Sequence, residues 1–244
     1  MSGLQSNLER QHVLIRENFN VLSKIVKQQA LLVRALFNRE ATRREKDAEM
    51  ETNETVIDSL EVKIRTEVIN GIVLYTPRAA ESRQMFAYID ITGFLERIGD
   101  LLHNIGKMSD QIVYETEPAL QIVPRLSRQL DLVSKMTEDS IVAFTLGDSD
   151  LARDVITRDL SIDAEHRSIC DDLPDLIDKG DKLPASIRTA LILNTISYNI
   201  ERIGDNATNV AESAIYHSEG KNARHVDLFT QKDNQKVYIN GKYK

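Results

Sequence analysis

Apolar residues in this chain recur every three to four positions over long stretches, and nowhere do they alternate strictly with polar ones. A helical turn of 3.6 residues brings such positions onto one face, so the pattern predicts amphipathic helices. Six segments stand out, at about 4–43, 46–75, 78–115, 118–146, 150–178 and 185–219. Their breaks carry suitable punctuation. "YTPRAAE" offers Thr76 as an N-cap with Pro77 at the first helical position. "TLGDSDLA" sets Gly147 where one helix should stop and Ser149 where the next should be capped. "DKGDKLPAS" closes the fifth segment and opens the sixth. Helices of roughly 30 residues extend about 45 Å. Short connections between them make successive helices antiparallel neighbours.

The chain also repeats itself. "ERIGDLLHN" runs from Glu96 to Asn104, and "ERIGDNATN" returns 105 residues later, from Glu201 to Asn209. The same offset pairs Arg83 with Arg188, Ile72 with Ile177, Ile64 with Ile169, Ile57-Asp58 with Ile162-Asp163, and Glu54 with Asp159. No gap is needed, so the match is a duplication rather than a coincidence of one pentapeptide. The expected architecture is all-α, with two tandem three-helix bundles at 1–116 and 117–220 and a polar tail at 221–244. Within the tail, "VYINGKY" has the look of a hairpin with an Asn-Gly turn, although a hairpin that short is marginal alone.

Composition narrows the function classes. Ten glycines and five prolines are too few for a sheet protein with many turns. A net charge of −7 argues against a nucleic-acid binder, which needs a basic surface to displace counterions. Arg39, Arg43, Arg44 and Lys46 cluster, but Glu45 and Asp47 interrupt them, so they form a solvated helix face. Cys170 is the sole cysteine, which excludes an intrachain disulfide and a Cys-based zinc finger; it is expected to be a small core filler. "MSGLQSNLERQ" lacks the features of a signal peptide, and "ALLVRALF" is too short for a membrane span. A cytoplasmic protein is expected.

The chemistry lies in the duplicated carboxylates. Residues four apart share a helix face, so Glu96, Asp100 and Asn104 form one polar stripe with His103 beneath Glu96. Glu201, Asp205 and Asn209 repeat it, with Thr208 in place of the histidine. The middle helix of each unit supplies a counterpart: Glu54, Asp58 and Glu61 in the first, Asp159, Asp163 and His166 in the second. If the stripes face each other, four carboxylates converge, and that much charge must be solvated or neutralised by cations. Oxygen-rich clusters of this kind suit hard or borderline divalent metals and iron. The competing reading is a solvated acidic face with Arg97 and Arg202 in weak surface pairs. Gly99 and Gly204 sit mid-helix at equivalent points, which predicts close approach of another element there. A dimetal carboxylate enzyme would want Glu-x-x-His on two helices. The nearest pieces, "ERQH", "DLLH" and "DAEH", are not equivalent between the units, and no catalytic triad or phosphate loop is present.

"ERIGD" in both units, "NVAESAIYHSEGKNARH", "GDSDLARDVITRD" and the paired Ile-Asp and Arg positions together resemble the PhoU family of phosphate-transport regulators. The resemblance covers about residues 45 to 225. It implies two spectrin-like three-helix bundles and multinuclear metal clusters, with Fe, Zn, Mg, Mn and Ni as candidate ions. One cluster would use Glu54, Asp58, Glu96 and Asp100, the other Asp159, Asp163, Glu201 and Asp205. Asn104, Asn209, His103 and His166 would stand around them. The implied role is an accessory protein, not an enzyme, linking the ATPase of a phosphate ABC transporter to a phosphate-sensing histidine kinase. A homodimer is expected, reaching the membrane only through its partners. The same helical unit also serves sodium–phosphate cotransporters, which leaves that partnership as an alternative.

Overall fold

The computed structural model describes residues 2–38, 43–179 and 184–220. Six helices account for almost all of them: α1 (Ser2–Phe37), α2 (Arg43–Tyr75), α3 (Ala79–Ser109), α4 (Glu117–Leu146), α5 (Ser149–Lys179) and α6 (Pro184–Glu219). The all-α expectation of two tandem three-helix bundles is met. Helices α1, α2 and α3 pack on one another, as do α4, α5 and α6. The two trios join through α3 against α6 and α1 against α4, while α2 and α5 touch only their own trio. The apolar stripes of α3 and α6 explain this arrangement. Ile91, Leu95, Ile98, Leu102 and Ile105 on α3, and Ile196, Ile200, Ile203 and Val210 on α6, are fully or almost fully buried.

An aromatic cluster pins the centre. Phe19 of α1, Tyr88 of α3 and Phe144 of α4 meet edge-to-face, with ring centroids 5.0–5.6 Å apart. The His217 ring of α6 stands 5.4 Å from Phe144. Such pairs add roughly 0.5–1.5 kcal/mol beyond the area they bury. Two helices from each trio, α1 and α3 with α4 and α6, thus meet in one aromatic cluster.

The boundaries differ from the sequence reading in instructive places. Thr76 does not cap α3. It ends α2 with a positive φ of 44°, and its N–H bonds the Ile72 carbonyl at 3.1 Å. The start of α3 is set instead by Arg78, whose N–H donates to the Glu81 carboxylate at 3.0 Å. Gly147 does stop α4, with φ 68°. The next cap is Asp148 rather than Ser149, because Asp148 Oδ1 accepts from the N–H groups of Asp150 and Leu151 at 3.1 and 3.0 Å. Helix α3 ends at Ser109, short of 115. There the chain tightens into i→i+3 bonds, and Val113 N–H turns to Thr189 Oγ on α6 at 3.2 Å. Cys170 is half-buried rather than a core filler, with Sγ 3.1 Å from Asn194 Oδ1. Arg39, the 180–183 connection and the tail with its "VYINGKY" segment lie outside the described residues.

Candidate metal centre

Two acidic centres form where the middle helix of each trio crosses the third. In the first, α2 presents Glu54 and Asp58, and α3 presents Glu96 and Asp100. Gly99 makes the crossing close: a Cβ there would lie 2.8 Å from Ile57 Cδ1. Glu54, Asp58 and Asp100 each bring one oxygen within 4.8 Å of the others, the one such grouping among the described residues. Water is largely excluded from Glu54, whose side chain is 19% exposed and whose Oε2 is buried without a hydrogen-bond partner. Burial pushes the Glu54 carboxyl up to about 8, helped by a hydrogen bond and charge from Asp100 and by the charges of Asp58 and Glu96. Glu96 is also raised, first by burial and then by Asp100, Asp58 and Glu61, with Arg97 opposing.

The second centre repeats the design in looser form, with Asp159 and Asp163 from α5 and Glu201 and Asp205 from α6. Asp159 is pushed up to about 7 by burial and by the charges of Asp205, Asp163 and Glu201, with the Thr208 hydroxyl opposing. Its Oδ1 is buried and unpartnered, and lies 2.8 Å from where a Cβ on Gly204 would stand. Glycine at 204 is what lets this carboxylate rest against α6. Glu201 is raised by burial, Asp205 and Asp163, and its Oε2 is likewise orphaned. Asp205 is raised by burial and then by Asp163.

The surrounding residues fall out unevenly. His103 is buried beside the first centre, its Nδ1 3.5 Å from Glu54 Oε1. His166 engages Ser197 Oγ at 2.9 Å through Nδ1. Asn104 is exposed and Asn209 half-buried, each one turn beyond its Asp. Arg97 and Arg202 stack over Phe94 and Tyr198, at 6.0 and 5.8 Å from the ring centroids. The sequence reading missed Glu51 and Lys107, which lie 3.0 Å apart and flank His103. Glu51 precedes Glu54 by three residues, and Lys107 follows His103 by four, so helical spacing was the available signal.

A model of the PhoU domain matches residues 19–109 and 126–214, one copy on each trio. The chain belongs to the PhoU family. Among PhoU relatives, it is 30% identical over 169 residues to the phosphate-specific transport system accessory protein PhoU homolog of Aquifex aeolicus, covering 69% of this chain and 74% of the relative. It is 34% identical over 163 residues to the protein of that description from Caulobacter vibrioides, covering 67% and 68%. The crystal structure of PhoU from Pseudomonas aeruginosa superposes with TM-score 0.79 at 23% identity, covering 87% of this chain and 99% of that one. That of the phosphate transport system regulatory protein PhoU from Streptococcus pneumoniae gives 0.76 at 21%, covering 92% and 100%. At these identities the two structures establish the fold. Each PhoU-domain match contains one complete acidic centre.

Proposed function

We propose that this PhoU-family chain regulates phosphate uptake and the phosphate-starvation response. It acts as an accessory protein between the ATPase of a phosphate ABC transporter and a sensor histidine kinase, and it carries metal ions on its two acidic centres. The family match across both trios is the observation that supports the phosphate role, because its relatives are described as accessory proteins of a phosphate-specific transport system. It binds rather than transforms its partners. No described helix is long and apolar enough to cross a membrane, so contact with a transporter is made through protein surfaces.

The donor set fits a bound cation. Orphaned oxygens on Glu54, Asp159 and Glu201, and carboxyls driven toward their protonated forms by burial and mutual charge, are the features a divalent ion would relieve. Glu54, Asp58, Glu96 and Asp100 would hold one site, and Asp159, Asp163, Glu201 and Asp205 the other. Bound metal supplies charge neutralisation and a cross-link between two helices. The chain contributes the close helix crossings at Gly99 and Gly204 that bring the carboxylates together.

The test is phosphatase output in phosphate-rich medium from cells lacking this gene. Output should rise on deletion and return to the repressed level with the intact gene. Restoration should weaken when Asp58, Asp100, Asp163 and Asp205 are all changed to Asn, with metal content of the purified chain falling in parallel. Unchanged phosphatase output on deletion would sink the phosphate reading, and unchanged metal content in the Asn variant would sink the site assignment.

A further inference from the structure

Between the two trios lies a groove that neither acidic centre uses. Helices α1 and α4 run antiparallel across the seam, and Phe19 meets Phe144 at one end of their contact. Beyond that pair a cavity of about 520 Å³ opens between residues 23–34 of α1 and 131–142 of α4. Its volume lies in the range of small-molecule sites, which in bundles form between helices. Ile98 and Leu102 of α3 and Ile203 of α6 make the floor, each 1% exposed. Ile98 and Ile203 are equivalents in the duplication, so the groove sits on the seam between its halves. Leu31 and Val142 also line it, and at 61% and 42% exposed they leave large apolar side chains at its mouth.

The polar groups decide what fits. Ser23, Ser134 and Thr137 line the groove, but each hydroxyl donates to a carbonyl one turn back on its own helix, at 2.9, 2.6 and 2.8 Å. Their protons are spent, so the interior suits hydrocarbon rather than a phosphate or a sugar. The charges stand at the rim: Lys24, Lys27, Arg34 and Lys135 against Asp131 and Glu138. Both acids are already held from the facing helix, Glu138 by Lys27 at 2.8 Å and Asp131 by Arg34 at 2.7 Å. Lys135 engages Asp139, which is not part of the lining, at 2.7 Å. Lys24 is exposed and has no ionic partner among the described residues. On a chain of net charge −7 this positive rim complements an anionic head, and the lysine-rich stretch after Gly220 has the wrong sign for it. From Lys24 to Arg34 the groove runs about 15 Å along α1, enough for an extended acyl chain of medium length.

We infer that the groove binds a free fatty carboxylate of medium chain length, its chain on Ile98, Leu102 and Ile203 and its carboxylate at Lys24. Bound there, the ligand covers Leu31 and Val142 and touches both trios at once. It ties the two halves together at α1 and α4, the lighter of their two joints. The groove stands apart from the acidic centres, and its ligand needs no metal.

The experiment titrates the full chain with dodecanoate, below its micelle concentration, by calorimetry. Dodecanoate should bind at a single site and roughly a hundredfold tighter than octanoate, each buried methylene being worth about fourfold. Dodecyltrimethylammonium, the same chain under a cation, should bind at least about tenfold more weakly. Lys24→Glu and Leu31→Glu change exposed residues and leave the fold intact, which circular dichroism checks. Each should weaken dodecanoate at least about tenfold. Equal affinity for the cationic amphiphile, or dodecanoate binding unchanged in both variants, overturns the inference as non-specific uptake. Binding to phosphatidylglycerol vesicles with none to soluble dodecanoate makes this face a membrane contact and overturns it too. If the chain binds no dodecanoate but Leu31→Glu releases phosphatase repression in cells, the groove docks a protein and the fatty-acid assignment falls.

Discussion

Without bound metal, the protein should become less stable as pH rises, opposite to what its many ordinary carboxylates would produce. Asp159 contributes, and the larger share comes from Glu54. Its folded-state pKa of about 8 stands above the ordinary glutamate value of 4.5, so between those values the folded chain holds a proton that the unfolded chain has released. Stability from this group is therefore fully present below about 4.5 and is lost as pH climbs through about 8. A gap of about 3.5 pKa units at about 1.4 kcal/mol each sets a ceiling of about 5 kcal/mol. At about 2–4 °C per kcal/mol for a chain of this size, the midpoint should fall by roughly 10 °C from about pH 5 to pH 8.5. Thermal unfolding of chelator-treated wild type and Glu54→Gln across that range isolates the effect. The neutral isostere should lose the Glu54 share of the slope, leaving the share due to Asp159, whose carboxyl is pushed up to about 7, and saturating divalent metal should flatten the wild-type profile by taking the protons' place. Parallel profiles for wild type and Glu54→Gln would refute the reasoning.

Other consequences are equally open to measurement. Phe144→Ala should cost about 3–5 kcal/mol by urea unfolding, since it empties the contact shared by Phe19, Tyr88 and His217. Asp148→Ala removes the acceptor for two N–H groups at the start of α5 and should cost about 1 kcal/mol, whereas Ser149→Ala should cost clearly less. Gly204→Ala puts a methyl 2.8 Å from Asp159 Oδ1 and should weaken metal binding at the second centre by equilibrium dialysis. Gly99→Ala presses on Ile57, next to Asp58, so it should cost about 1–3 kcal/mol through packing and weaken metal binding at the first centre by prising α2 from α3.

The fold was legible because long helices announce themselves by period, and an ungapped duplication fixes which helices correspond. The carboxylates were legible for the same reason: a fourfold spacing on two helices survives in the sequence whatever the helices pack against. Caps were less so. Thr76, Asp148 and Ser149 all have side chains suited to capping, and the backbone conformation decides which one serves; Thr76 carries the left-handed geometry usually given to glycine. The pairing of α3 with α6 was hidden as well, because an apolar stripe states that a face is buried without naming its partner. Glu51 and Lys107 escaped for a related reason. Spacing places each on a face of its own helix, but the contacts of Glu51 on α2 with His103 and Lys107 on α3 depend on the register between two helices, which no spacing reports.

The outer position of α2 and α5 gives the acidic centres a mechanical meaning. Helices α1, α3, α4 and α6 brace one another across the middle of the molecule, whereas α2 and α5 are each fastened to one side only. Each centre draws half its oxygens from a braced helix and half from a singly fastened one. A metal held there, as proposed above, would act as a rivet between a frame and a panel. Removing it would slacken one panel against one of its two supporting helices, leave the frame standing, and alter the surface on that flank alone.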